Sequence, residues 1–103
     1  MGAMTTLELF AEANDLEYTF LIPTTADKII EMLNGFCSRN KLEWGLEQGY
    51  DIDYCVFIMS PNWMVEIESN TVMDAIIAAV AQAWQKLTKP DNVIYLEDWR
   101  NRG

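Results

Sequence analysis

Three short segments near the middle of the chain have strand patterns, and they constrain the fold most strongly: the two outer segments largely alternate apolar and polar residues, and the middle one contains an apolar run at 54–59. The segments are residues 41–47, 52–60 and 63–68, and turn-forming residues separate them at 48–51 and 60–62. A period of two is typical of half-buried β-strands, and short gaps that contain Gly, Pro or Asn connect antiparallel neighbours. The sequence therefore predicts a three-stranded antiparallel meander.

Amphipathic patterns on both sides of this meander predict two long helices. Thr24 or Thr25 is the expected cap of the first helix, Asn70-Thr71 caps the second, and Pro90 ends it. Each helix keeps apolar residues at i, i+3 and i+4 spacing, so each has one face to bury. The apolar positions are Ala26, Ile29, Ile30, Leu33, Phe36 and Cys37 in the first helix, and Met73, Ile76, Ile77, Val80, Trp84 and Leu87 in the second.

A shorter helix is predicted at the beginning of the chain. Residues 5–8 have the capping-box spacing, in which a Thr and a Glu three residues later satisfy each other's backbone N–H groups. The helix is expected to run to about Asn14. Its inward-facing residues are expected to be Leu7, Phe10 and Ala11.

Two further segments have strand-like patterns. Residues 16–22 alternate until Pro23, and residues 93–96 predict a short strand or an extended tail. The predicted element order is α-β-α-β-β-β-α, with the short C-terminal strand as a further element. This order is an α+β fold in which the two long helices pack on one face of the antiparallel meander.

The alternation divides the meander into two faces. Three apolar rows are assigned to the core under the helices: Leu42, Trp44 and Leu46; Tyr54, Val56 and Ile58; Trp63, Val65 and Ile67. The opposite face then carries Glu43, Gly45 and Glu47 on the first strand, Cys55, Phe57 and Met59 on the second, and Met64, Glu66 and Glu68 on the third. If the strands pair in sequence order, an apolar middle strand lies between two acidic ones.

This second face has three interpretations. A strand that is apolar on both sides is usually buried on both, so the first helix or residues 93–99 could cover it. Alternatively, the face binds another protein, with Phe57, Met59 and Met64 as contacts and the glutamates as a steering rim. The third interpretation is self-association, which the like charges of the two rims would oppose.

Acidic residues outnumber basic ones by 16 to 7, which gives a formal net charge of −9. Residues 42–85 contain no Lys or Arg, and no base precedes Lys28. Nucleic acids and anionic membranes are bound through positive patches, so neither is an expected ligand. A field of one sign attracts basic partners, although a purely solubilising surface also explains the acidity.

The residue types restrict catalysis. The chain has no His, no P-loop and no GxGxxG, which excludes imidazole-based nucleophile pairs and Gly-rich phosphate cradles. Asp51 and Asp53 form a D-x-D that suits a divalent cation, and Glu66 and Glu68 share a face as an acid/base pair would. However, Asp is favoured in turns in any case, and a domain of 103 residues offers little cleft for a sugar substrate. We therefore expect no enzymatic activity, no metal and no cofactor.

The chain is expected to be a single cytoplasmic domain. Cys37 and Cys55 lack CxxC spacing and are interpreted as reduced thiols. No run approaches the ~18 apolar residues that a membrane-spanning helix needs. Residues 1–3 are interpreted as a cloning remnant, which leaves residues 4–103 as one acidic domain.

The segment WMVEIESNTVMDAIIAAVAQAW, residues 63–84, resembles the C-terminal half of small phage and prophage αβα-sandwich proteins, whose function is mostly unassigned. More broadly, the size, acidity and α+β order are similar to phage-encoded inhibitors of host defence, such as anti-CRISPR proteins. They are also similar to immunity proteins that neutralise basic nuclease toxins. These resemblances imply a protein-binding function and assign no residue roles.

The first functional hypothesis is a non-enzymatic inhibitor that blocks a basic, nucleic-acid-binding surface of a partner, with carboxylates in place of phosphates. It would act in the cytoplasm, or in the host cytoplasm if it is phage-encoded. The expected contact residues are Glu43, Glu47, Asp51, Asp53, Phe57, Met59, Met64, Glu66 and Glu68. The alternative is a structural or assembly protein, either a homo-oligomer or a phage assembly chaperone, that uses the same face. A toxin-immunity protein is the third hypothesis.

Overall fold

A computed structural model describes residues 5–49 and 53–88 of the chain. In this part of the chain the fold is α+β, as predicted, with the element order α-α-β-β-β-α and a single 3-10 turn, η1, after the first helix. The elements are α1 (Thr6–Ala13), η1 (Thr19–Leu21), α2 (Ala26–Arg39), β1 (Glu43–Gln48), β2 (Tyr54–Met59), β3 (Met64–Ser69) and α3 (Val72–Thr88).

The three strands form the predicted antiparallel meander, in the spatial order β1-β2-β3. Residue 57 at the middle of β2 pairs with Gly45 on one side and Glu66 on the other. Paired residues of neighbouring strands point to the same side of the sheet, so each face is continuous over all three strands.

Helices α2 and α3 cover one face of the sheet, as predicted. α3 packs against β2 and β3, and α2 packs against β1 and α3. The core between these layers contains Phe36, Ile58 and Val80, each fully buried. The apolar rows assigned to the core are confirmed, since Val56, Ile58 and Val65 are buried and the other residues of the rows are partly buried against the same cluster.

The first helix packs on the helical side of the molecule, against α3. The indole Nε1 of Trp84 donates a hydrogen bond of 2.8 Å to a carboxylate oxygen of Glu12, and the same indole meets the ring of Phe36 edge-on at 6.3 Å between centroids. α1 therefore does not cover the opposite face of the sheet. Of the two segments that the sequence analysis considered as covers, the first helix and residues 93–99, the first is therefore wrong.

Local hydrogen bonds define where the helices begin. Thr5 accepts from the backbone N–H of Glu8, and the Glu8 carboxylate accepts from the N–H of Thr5, which completes the predicted capping box. Thr71 caps α3 by accepting from the N–H of Asp74 at 3.1 Å. At the start of α2, Thr25 occupies the cap position without a side-chain hydrogen bond.

The first two helices end in the same motif. At Asn14-Asp15-Leu16, the N–H of Leu16 bonds the carbonyl of Ala11 at 2.8 Å, and Asp15 has a φ of 63°. At Asn40-Lys41-Leu42, the N–H of Leu42 bonds the carbonyl of Cys37 at 2.8 Å, and Lys41 has a φ of 58°. Both are Schellman ends, in which a left-handed residue satisfies the last free carbonyls of a helix.

The strand predicted at residues 16–22 is not formed. Leu16 belongs to the end of α1, residues 19–21 form the 3-10 turn η1, and Tyr18 and Phe20 are exposed. Leu7 was also assigned wrongly to the inward face of α1: it is exposed, and Leu9 is buried instead. The predicted strand at 93–96, the end of α3 at Pro90 and the remnant at residues 1–3 lie outside the described residues.

A candidate docking face on the sheet

The face of the sheet that points away from the helices is the strongest candidate for a functional site. We call it the outer sheet face, and it comprises Glu43, Gly45, Glu47, Cys55, Phe57, Met59, Met64, Glu66 and Glu68. Across the three strands its residues form the rows 43-59-64, 45-57-66 and 47-55-68. All described helices pack on the core side, so none of them crosses this face.

The centre of the outer sheet face is apolar. Phe57 is half-buried, and its ring lies over Gly45: a Cβ atom at position 45 would stand 3.1 Å from a ring carbon of Phe57. At the next row, Met59 and Met64 are paired across the strands and exposed, Met64 by 52% of its surface. Exposed methionines beside an aromatic ring form an adaptable contact surface for another protein.

Four exposed glutamates surround this centre on the two edge strands. Glu43 and Glu47 lie on β1, and Glu66 and Glu68 lie on β3. Neighbouring strands are about 4.8 Å apart, so the two acidic rows stand about 10 Å from each other. That distance is close to the screening length at physiological salt, so the four charges act together on an approaching partner.

Cys55 lies between Glu47 and Glu68 in the third row, and its thiol donates a hydrogen bond of 3.5 Å to Glu66. Partial desolvation raises the pKa of the Cys55 thiol above its ordinary value. The hydrogen bond to Glu66 and the negative charges of Glu66, Glu68 and Glu47 raise it further. The same field that attracts cations therefore keeps this thiol protonated at neutral pH.

The structure brings together seven of the nine residues that the sequence analysis assigned to partner binding, and all seven belong to the outer sheet face. Asp53 lies just before β2, where its carbonyl accepts from the N–H of Gly49 at 2.7 Å, and its side chain is half-buried. Strand parity places it at the end of the same face. Asp51 lies outside the described residues.

A second acidic surface was missed by the sequence analysis. Between α1 and η1 lies an open groove of about 540 Å³, lined by four carboxylates and the ring of Tyr18. The run of acids before Lys28 was visible in the sequence. The assignment of residues 16–22 to a strand hid its geometry, because a strand would have turned Glu17 and Tyr18 to opposite faces.

The following observations concern the described residues only. No group of three Cys, Asp or Glu side chains is arranged there to hold a metal ion. None of the helices in residues 5–49 and 53–88 combines the length and the apolar character that crossing a bilayer requires. The carboxylates of Glu66 and Glu68 are on an open sheet surface rather than among the residues that line the groove.

Comparison with protein-family models, with curated proteins and with solved structures finds no match for this chain.

Proposed function

We propose that this protein is a non-enzymatic binding protein that uses the outer sheet face to occupy a basic, nucleic-acid-binding surface of another protein. The observation that carries this proposal is the half-buried Phe57 with the exposed Met59 and Met64 on a face that has glutamates on both edge strands and no base. A surface that served only solubility would mix charges of both signs and would not expose Met59 and Met64 together.

The two parts of the face have different roles in the proposed complex. The glutamates take the place of phosphates opposite Lys and Arg side chains, and their field accelerates encounter with a basic surface. Phe57 and the two methionines lose water on docking, which slows dissociation. Mimicry of nucleic acid by carboxylates makes the expected effect inhibitory, because the partner cannot hold both ligands.

The size of the face sets the expected strength of binding. Three strands of six residues form a patch of about 20 Å by 15 Å. This is below the ~800 Å² that each partner contributes to a standard interface, and transient complexes have interfaces of this smaller size. We therefore expect affinity through this face alone to be moderate and strongly dependent on salt.

The resemblance to phage-encoded inhibitors of host defence supports an inhibitory function and a host protein as the partner. An immunity protein against a basic nuclease toxin would use the same chemistry. Self-association through the outer sheet face is the alternative, favoured by the half-buried Phe57 and the exposed Met59 and Met64. In a symmetric pairing, however, acidic rims of one copy would come close to those of the other, so this assembly would form only at high salt.

The proposal is tested by competitive capture from an extract of the native host. Wild-type protein is expected to retain a basic nucleic-acid-binding protein, and added duplex DNA should release it. The variant in which Glu43, Glu47, Glu66 and Glu68 are all replaced by Lys should retain none of it. Equal capture by wild type and variant, or a captured protein that DNA does not displace, would contradict the proposal.

Net charge is controlled with matched pairs of substitutions. Glu47→Lys with Glu68→Lys alters two acids of the outer sheet face, and Asp27→Lys with Glu31→Lys alters two exposed acids of α2. Both variants have the same total charge. Only the first pair should weaken capture; equal weakening by both would mean that charge, and not this face, determines binding.

A further inference from the structure

The groove between α1 and η1 is distinct from the outer sheet face. α1 packs on α3, and α3 lies against the other side of the sheet, so the two surfaces are separated by the core. The groove is lined by Glu8, Glu12, Asp15, Glu17 and Tyr18. No Lys or Arg is among its lining residues, and none precedes position 28 in the sequence.

An aromatic pair lies at the edge of this groove: Tyr18 is one of the lining residues, and Phe20 stacks on the ring of Tyr18. The rings of Tyr18 and Phe20 are stacked, with centroids 5.1 Å apart and planes within 8°. Tyr18 is 55% exposed, Phe20 is 78% exposed, and Leu21 is also exposed. Among the described residues, six large apolar side chains are exposed; Tyr18, Phe20 and Leu21 are three of them, and Met59 and Met64 of the outer sheet face are two more.

The free protein gains little burial free energy from these two rings, whereas a ligand that covered them would. Side chains as large as Phe and Tyr would be stabilised by burial, yet η1 turns both toward water. Their position beside four carboxylates rules out an anionic or a purely apolar occupant, because either would leave the carboxylates desolvated without partners. The chemistry that satisfies both parts is a cation with a flat, weakly hydrated face.

We propose that the α1–η1 groove is a second docking site, which binds an arginine-bearing segment of a partner protein. A guanidinium group can stack on the ring of Tyr18 and at the same time donate paired hydrogen bonds to a carboxylate. The groove volume of about 540 Å³ accommodates a side chain of this size. Apolar residues next to the arginine would cover Phe20 and Leu21. The inference is independent of the function proposed for the outer sheet face.

Two of the four carboxylates can be neutralised without disturbing the fold. Glu8 belongs to the capping box and Glu12 holds Trp84, so neither is a clean test. Asp15 has a left-handed backbone, which Asn tolerates equally well, and Glu17 is exposed. The variant Asp15→Asn with Glu17→Gln therefore changes the charge of the groove alone.

The probe is an acetylated, amidated Leu-Arg-Leu-Arg peptide, followed by NMR of the full chain. As the peptide is added, saturable changes in chemical shift are expected at Tyr18, Thr19 and Phe20. The peptide in which citrulline replaces both arginines keeps the shape without the charge and should bind about tenfold more weakly. Asp15→Asn with Glu17→Gln should weaken binding at the groove by about tenfold, and Phe20→Ala by about threefold.

The matched control is Glu66→Gln with Glu68→Gln on the outer sheet face. It also removes two charges. It should leave unchanged both the chemical-shift changes that the peptide causes at the groove and the affinity of the peptide. If the proposal for the outer sheet face is wrong, the capture experiments with the basic partner will show it. If the proposal for the groove is wrong, the peptide titration will show it, so the two proposals are tested separately.

Four results would overturn the proposal. They are the absence of shifts at Tyr18 and Phe20, unchanged affinity in the Asp15→Asn and Glu17→Gln variant, equal binding of the citrulline peptide, and groove shifts that depend on protein concentration without peptide. The last result would assign the groove to a second copy. A fifth result would also overturn it: if deletion of residues 89–103 causes large chemical-shift changes at the groove, the occupant is the chain's own C-terminal segment.

Discussion

The ring of Phe57 on β2 lies over Gly45 on β1, with one ring carbon 3.1 Å from the position that a Cβ atom of residue 45 would occupy. A glycine at the centre of a strand normally costs stability, and an aromatic ring that covers it from the neighbouring strand offsets part of this cost. The same contact fixes the ring at the centre of the outer sheet face. The pair therefore links the stability of the sheet to the shape of the proposed docking surface.

A side chain at position 45 should displace the Phe57 ring. In Gly45→Val, the ring must move by at least a few tenths of an ångström, while the β-branched residue favours the strand. We expect the thermal midpoint to change by less than about 4 °C. In NMR spectra, the contacts between the Phe57 ring and the α protons of Gly45 should be present in the wild type, and the ring should contact other residues in the variant.

Gly35→Ala is the control for this substitution. A Cβ at position 35 would stand 3.2 Å from the guanidinium of Arg39, which donates a hydrogen bond to the carbonyl of Ala13. The gain in helix propensity and the shift of Arg39 oppose each other, so this change should alter stability by less than about 1 kcal/mol and leave the Phe57 ring where it is. An unchanged ring position in Gly45→Val would show that the ring does not lie over the glycine.

The two faces of β2 should differ sharply in their contribution to stability. Ile58 is fully buried, whereas Met59, the next residue, is exposed. Ile58→Ala should reduce the free energy of unfolding by about 3 kcal/mol, because it leaves a cavity in the core. Met59→Ala should reduce it by less than about 1 kcal/mol. Chemical denaturation of both variants measures this, and similar losses would mean that both faces of the strand are buried.

The thiol of Cys55 should titrate above the ordinary range of cysteine. Its pKa is raised by partial desolvation and by the hydrogen bond and negative charge of Glu66. Glu66→Gln removes that charge, so the pH profile of Cys55 alkylation should move to lower pH. Glu43→Gln is the control, since Glu43 is at the far end of the face and does not contribute to the shift. If both variants alkylate with the same profile, Glu66 does not act on the thiol.

Cys37 should make stability depend on pH under alkaline conditions. Burial raises the pKa of this thiol from 9.0 to about 11, so the folded state holds its proton when the unfolded chain has lost it. Stability is therefore fully present below pH 9 and declines as the pH rises toward 11, by about 3 kcal/mol in total.

The measurement is the free energy of unfolding of the wild type minus that of Cys37→Ala at each pH. The subtraction cancels other groups that titrate in this range. The difference should narrow as the pH rises from 9 to 11. A difference that stays constant would mean that the thiol does not titrate differently in the two states.

Much of the sheet could be predicted from the sequence because its signal is local. Alternation assigns each residue of β1, β2 and β3 to a face, and short turns force neighbours to pair in sequence order. The outer sheet face followed from these two facts. That α1 leaves this face uncovered could not be predicted, since α1 packs on α3 through residues distant in sequence: Phe10 is buried in the same cluster as Val80, and Glu12 accepts a hydrogen bond from Trp84.

The segment 16–22 shows where alternation is not enough. Leu16 and Tyr18 have the spacing of a strand, but a strand also needs a partner to satisfy its backbone groups. Here the N–H of Leu16 is already bonded to Ala11, and a 3-10 turn follows directly. The left-handed residue after a helix is usually Gly. Here it is Asp15, and Lys41 takes the same position after α2, so neither helix end has the glycine that would have marked it in the sequence.

The central claim, docking through the outer sheet face, is tested most directly by the alkylation rate of Cys55 in the complex with the captured partner. Cys55 is inside the face, and Asp27→Cys supplies an exposed reference thiol on α2. The account predicts that the partner slows alkylation of Cys55 about tenfold or more, because a docked surface excludes the reagent, while the rate at position 27 stays the same. Equal rates for Cys55 in the free and the bound protein would contradict it.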